Sequence, residues 1–392
     1  FFSRYYIHEM LLVLTSFAVI YSGWRYLTSR HAGWAIATGV SLGFMHATKE
    51  TCVIIWFAMA VALAVTWAMT RFVIDQKDMP RRFYPHVGHL VMSLVAALVV
   101  SVTLFTSFFT NWQGPVDSIR TYAAWVSAGA GEQLRHEHEF LWYVKMLTYW
   151  KPRAGPWFSE ALIVGLSLVG FVAAWTGWGV RREHRGPAIF IAVFTFVLLL
   201  SYSLIPYKTP WLVLGPLHGM ILLAGLGAAS IIDKTPGRYL KALPVIALLI
   251  AAGFQTKMAY ATNFRFQADA RNPWVYAHPT RDVLRIERRA EQIARTARLG
   301  NQLPITVIDE GNYWPLPFYL RRFENVGYFP RLPEKLNTET SMIIAGPAVD
   351  PRVNKRLAET HHGEYFGLRP GVVISVYTRN DLWDAFIDSQ RR

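Results

Sequence analysis

Apolar runs of about twenty residues recur along this chain, and no other feature limits its fold as strongly. They fall at approximately 7–27, 33–48, 52–70, 87–109, 158–179, 188–206, 210–232 and 243–259. As a helix, such a run matches the hydrocarbon core of a bilayer and satisfies its backbone polar groups internally. The expected fold is a polytopic α-helical membrane protein with about eight spans. Composition agrees, because 53% of the 392 residues are hydrophobic and only 17% are charged.

The formal net charge of +14 would suit a nucleic-acid binder if it were gathered on one soluble face. Many of the basic residues instead sit in short gaps between apolar runs. Arg25 and Arg30 follow the first run, and Arg71, Lys77, Arg81 and Arg82 the third. Arg181, Arg182 and Arg185 follow the fifth, and Lys234, Arg238 and Lys241 the seventh. These alternate loops share one side, which the positive-inside rule makes cytoplasmic. The protein is therefore expected in the cell membrane, with membrane lipid and not nucleic acid around it. The opposite side receives Lys49-Glu50, the stretch 110–157, the Tyr207-Lys208 turn and everything after about residue 260. It also receives Phe1, so an N-terminally truncated chain is expected. Cys52 is the single cysteine, which excludes an intrachain disulfide and a cysteine metal cluster.

The outer side gathers the candidate chemistry. In Tyr202-Ser-Leu-Ile-Pro-Tyr-Lys-Thr-Pro-Trp211, two prolines interrupt the apolar pattern. Thr209 is placed to cap the next helix and Pro210 to fill its first turn. Lys208 then stands beside free N–H groups at a positive helix end, which suits a phosphate. An interfacial turn anchored by Tyr207 and Trp211 is the alternative. Arg4, His8 and Glu9 open the first run, and Glu9 borders hydrocarbon. It is read as activating an acceptor, binding a metal, or pairing with Arg4 or Lys49. Thr48 or Thr51 is placed to cap the third run, leaving Lys49 near another positive end that favours an anion; a Lys49-Glu50 surface turn is the alternative. Arg153, before Trp157, is a further phosphate contact or a backbone cap. His136-Glu137-His138-Glu139 lacks the i,i+4 spacing of helical metal sites and reads as a charged turn. A divalent metal is left open as a cofactor.

Within 110–157, Tyr122-Ala-Ala-Trp125 and Phe140-Leu-Trp-Tyr143 read as short amphipathic helices at the membrane surface. The chain is expected to divide into a membrane domain, 1–262, and an extracytoplasmic α/β domain, 263–392. In the second, Thr280 is placed to cap an arginine-rich helix. Its buried stripe is expected at Val283, Leu284, Ala290, Ile293, Ala294 and Ala297. Strands are expected at 305–308, 341–345 and 372–376 in a mainly parallel sheet. Asp309-Glu310 ends the first strand, and Tyr313-Trp314 offers a sugar platform there.

Four segments carry a resemblance. They are Phe2-Ser-Arg-Tyr-Tyr-Ile-His-Glu-Met10, Ala47-Thr-Lys-Glu-Thr51, Tyr202 to Trp211 as above, and Tyr313-Trp-Pro-Leu-Pro-Phe-Tyr-Leu-Arg321. They resemble a prokaryotic membrane-protein family described as flippase-activity-associated. That family is similar to the protein O-mannosyltransferase and aminoarabinose-transferase branch of the GT-C glycosyltransferases. The resemblance implies a GT-C-like bundle, a polyprenyl-phosphate sugar donor and a catalytic acid in a large first external loop. Arg4 to Glu9 looks like the superfamily's second acidic motif, so the resemblance makes Glu9 accessory and puts the main acid upstream. Lys49, Lys208, Arg153 and Arg4 would then hold phosphate. Tyr207, Trp211, Trp157, His8 and Glu50 would meet the sugar, and a glycan or protein would accept it. A flippase or flippase accessory for lipid-linked sugars, and a non-catalytic assembly subunit, are the alternatives.

Overall fold

The computed structural model describes every residue except Tyr6, 74–84, 128–136, Arg153, Asn312 and Arg392, and except the side chains of 124–127. The chain divides into two compact units, Phe1–Arg265 and Phe266–Arg392.

The first unit is mostly helical. Its helices are α1 (His8–Ser29), α2 (Ala32–Thr48), α3 (Cys52–Phe72), α4 (Val87–Phe105), α5 (Gly114–Ser127), α6 (Trp142–Thr148), α7 (Ala161–Thr176), α8 (Arg182–Leu204), α9 (Leu214–Lys234) and α10 (Ala242–Tyr260). A helix stands at each of the eight apolar runs. Six of them are long and apolar enough to cross a membrane: α1, α3, α4, α8, α9 with the turn before it, and α10 with the turn after it. The 17 residues of α2 and 16 of α7 reach only about 25 Å at helical rise, short of the roughly 30 Å hydrocarbon core.

Small residues bring these helices together. In α2, a Cβ added to Gly39 would lie 2.0 Å from Ser93 O of α4. In α7, a Cβ on Gly170 would lie 1.9 Å from Leu223 O of α9, and one on Gly227 of α9 would lie 2.3 Å from Leu166 O. Backbones this close gain dispersion contacts that lipid cannot match. Two polar contacts tie helices together inside the bundle: Thr38 Oγ1 donates to Ser22 Oγ (3.0 Å), and His46 Nδ1 meets Ser101 Oγ (2.6 Å).

The two ends of the bundle differ. At one, Tyr26 of α1 meets His89 of α4 (3.2 Å), and Arg185 of α8 donates to Trp175 O of α7 (2.6 Å). Arg25, Arg30, Arg181, Arg182 and Lys234 border those same helix termini. At the other end lie the start of α1, the α2–α3 junction, α6, and the turn between α8 and α9.

The second unit packs helices on a five-stranded sheet. Its elements are α11 (Val283–Thr296), β1 (Ile305–Ile308), α12 (Leu316–Tyr319), β2 (Val326–Phe329), β3 (Met342–Ala345), α13 (Asp350–Leu357), β4 (His361–Arg369), β5 (Val372–Arg379) and α14 (Asn380–Arg391). The strand order is β2-β1-β3-β5-β4. Only β1 pairs in parallel, with β2 and β3, whereas β3–β5 and β4–β5 are antiparallel. The expected mainly parallel sheet is therefore mixed. The β4–β5 hairpin turns through Gly371, whose φ of 77° is one that glycine adopts without strain. The strand β4 was missed because its half-open sequence lacks a continuous apolar run.

The α11 stripe also shifts. Val283, Ile286, Ala290, Ile293 and Ala294 are buried, but Leu284 is 43% exposed. Spacing by three and four places Ile286, not Leu284, on the face of Val283 and Ala290. Asp282 is the N-cap, while Thr280 Oγ1 accepts from Asp282 N (3.3 Å) and ties the chain to Gly367 O of β4. One apolar core lies between the sheet, α11, α12 and α14, and a smaller one lies under α13.

Candidate functional site

Glu9 is the second residue of α1, and its side chain is only 6% exposed. Lys49 stands at the C-cap of α2, and its Nζ donates to Glu9 Oε1. Two residues forty positions apart thus form one ion pair. The chain reverses at Arg30-His31, and the antiparallel packing of α2 on α1 brings the end of α2 to the start of α1. Neither threonine caps α3. Thr48 Oγ1 donates to Phe44 O within its own helix (2.6 Å). Thr51 stands at the N-cap with φ −66° and ψ −4°, outside the extended region that aims a cap side chain at the next N–H groups.

Lys208 is 1% exposed. Its Nζ donates to Ile205 O (2.6 Å) and His138 O (3.0 Å). Ile205 is the C-cap of α8, where carbonyls carry the negative end of a helix dipole. The lysine therefore stabilises the end of the preceding helix, which reading forward toward α9 did not anticipate. Burial also pulls its amino group below the ordinary lysine pKa. Thr209 has extended dihedrals but makes no side-chain cap bond, and Pro210 opens a 3-10 turn instead of a regular first helical turn.

Tyr143 joins the two halves of the site. It is fully buried in α6 and donates to Thr209 O (3.1 Å). Glu9, Tyr202 and Tyr207 lie within electrostatic reach of its hydroxyl. Burial raises its pKa, so the phenol stays protonated and donates. Tyr202 of α8 is buried within electrostatic reach of Glu9. The long loop is tied in by backbone pairing of Glu137 with Tyr207, and His138 N donates to Pro206 O (3.1 Å).

The remaining predicted residues spread outward. Trp211 meets Phe2 edge-on at 6.1 Å. Trp157 lies 5.4 Å from Phe254 and 6.1 Å from Tyr149. Arg4 donates to Asn263 O (2.8 Å) and sits 4.8 Å over the Phe264 ring. Tyr207 and His8 are exposed, and Glu50 is half-buried. Arg153 and His136 lie outside the described residues. In the rest of that charged turn, His138 stacks on Trp142 at 4.3 Å and Glu139 pairs with Lys145. Among the described residues no three His, Cys, Asp or Glu converge as metal ligands.

Sequence reasoning missed Glu160. It precedes Ala161-Leu-Ile-Val just as Glu9 precedes Met10-Leu-Leu-Val, and that repeated signal would have found it. Its carboxylate accepts from Gln255 Nε2 of α10.

The six long apolar helices and the fold define a membrane protein of ArnT-like architecture. Among the solved structures it resembles are two of ArnT. ArnT from Cupriavidus metallidurans, apo and bound to undecaprenyl phosphate, matches 94% of this chain and 74% of its own, each with a TM-score of 0.50 and 15% identity. That likeness is one of fold. No protein-family model and no curated protein sequence matches the chain.

Proposed function

We propose that this protein is a glycosyltransferase that moves a sugar from a polyprenyl-phosphate donor to a glycan or protein acceptor. The Glu9–Lys49 pair carries the reading: a carboxylate and an ammonium buried together at one end of an ArnT-like bundle. Undecaprenyl phosphate bound to an ArnT neighbour supports a polyprenyl phosphate as the donor's carrier. In this reading the bundle lies in the cell membrane with all eight apolar helices crossing it. The arginine-bearing end faces the cytoplasm. The Glu9 end and residues 266–392 lie outside.

The reaction breaks the bond between the sugar's anomeric carbon and the phosphate oxygen, which leaves with the electron pair. The acceptor hydroxyl forms the new bond and loses its proton to a carboxylate. Lys49, Lys208, Arg4 and Arg153 neutralise the departing phosphate. Lys208 brings the one ammonium proton left over from its two carbonyl bonds. Glu9 holds Lys49 in place and positions the acceptor, as an accessory carboxylate. Tyr207, Trp211, Trp157, His8 and Glu50 border the sugar.

The test is transfer from a radiolabelled polyprenyl-phosphate sugar in vesicles carrying the protein. Lys49→Ala and Lys208→Ala should each lower kcat/KM by about 100-fold, the scale for one charge-stabilising donor. Unchanged transfer by folded Lys208→Ala would remove that lysine from the phosphate site. Labelled lipid that crosses the bilayer without losing its sugar would make the protein a flippase.

A further inference from the structure

A cavity lies away from Glu9 and Lys49, in the half of the bundle nearer the arginine-bearing end. It encloses about 720 Å³ among α1, α2, α3, α4, α8 and α9. Its walls are almost wholly apolar. Phe17, Tyr21, Leu63, Leu90 and Leu222 border it and are themselves 37–48% exposed, so it opens on the flank of the bundle that hydrocarbon would cover. Gly23 of α1 also borders it, and a Cβ built there meets nothing within 4 Å.

The mouth of the cavity makes it more than a packing gap. At the mouth stands His184, which borders the cavity and is 62% exposed at its side chain. Arg181, Arg182 and Arg185 flank it in sequence, and Arg30 lies over the ring of Tyr26, another wall residue. Glu183 Oε1 lies 3.9 Å from His184 Nε2.

We propose that this cavity holds an acyl chain of an anionic phospholipid, with the phosphate drawn to the basic mouth. An apolar chain fills a dry, laterally open void at no polar cost. Basic residues where the helices end attract an anionic headgroup over a neutral one. This site is independent of the transferase reading, because it shares no residue with the Glu9 end.

Phosphatidylglycerol with brominated acyl chains provides the probe, since Trp24 and Trp56 border the cavity and bromine quenches tryptophan. The full chain in detergent is titrated with it and with the matching phosphatidylcholine. Saturable quenching, at least fivefold tighter for phosphatidylglycerol, is expected. Gly23→Phe should fill the void and abolish the saturable phase, and Ala60→Phe repeats the test should the first variant misfold. Arg181→Gln with Arg182→Gln should bring the two lipids to equal affinity. Quenching unaffected by either filling variant overturns the proposal. So does equal affinity for both lipids in the unaltered protein. Displacement of the brominated lipid by one equivalent of undecaprenyl phosphate overturns it as well, by assigning the cavity to the carrier.

Discussion

Glu9 and Lys49 show how much a single residue depends on its partner here. The Glu9 and Lys49 side chains are 6% and 19% exposed, so neither charge is well solvated. Removing one leaves the other stranded, which costs about 3 kcal/mol when a buried pair is broken. Glu9→Gln and Lys49→Met are each expected to destabilise by about that much. The double variant should recover roughly half of the summed loss. Equilibrium unfolding in detergent, set out as a double-mutant cycle, measures this, and additive losses would show that the pair is not coupled. Lys208 teaches a different lesson. Its sequence neighbours advertise a helix start, yet its bonds run back to a helix end and across to the loop at His138.

Between elements, spacing depends on glycine. Within α7, Gly170 touches the backbone of α9 and Gly165 touches nothing. Gly170→Val should separate α7 from α9 and destabilise by about 3 kcal/mol or more, the cost of overpacking against unyielding backbone. Gly165→Ala in the same helix should stabilise by about 0.5–1 kcal/mol through helix propensity. Thermal unfolding of both variants separates packing from propensity. A loss at Gly165 equal to that at Gly170 would contradict the contact. In the second unit, β1, β3 and β5 were legible as apolar runs. By contrast, β4 was not, because its apolar buried stripe is confined to Phe366 and Leu368, after a polar start at His361-His362-Gly363-Glu364.

For the whole molecule, the short helix α7 decides the topology. Trp112 follows α4 and is 69% exposed, and Tyr239 follows α9 and is 89% exposed. Three helices, α7, α8 and α9, separate them along with the shorter helices α5 and α6. If all three cross, the two positions face opposite sides. Cys52→Ser clears the background, after which Trp112→Cys should react with a membrane-impermeant maleimide on intact cells. Tyr239→Cys should react only after permeabilisation. Labelling of both from outside would mean that α7 does not cross.

Sequence alone determined where each long helix lies, because a run of apolar residues long enough for a bilayer has one stable backbone conformation there. It also determined that basic residues alternate between the gaps, and that three of the five strands are buried. Tertiary structure decided what distance along the chain conceals. It joined Glu9 to Lys49, buried Lys208 against the end of α8, hung Tyr143 on Thr209, and placed Glu160 beside Gln255. It also turned the sheet antiparallel at β5. Those outcomes depend on which helix ends meet, and the residues that make them meet are glycines and small side chains in contact across helices, whose effect no single segment of sequence displays.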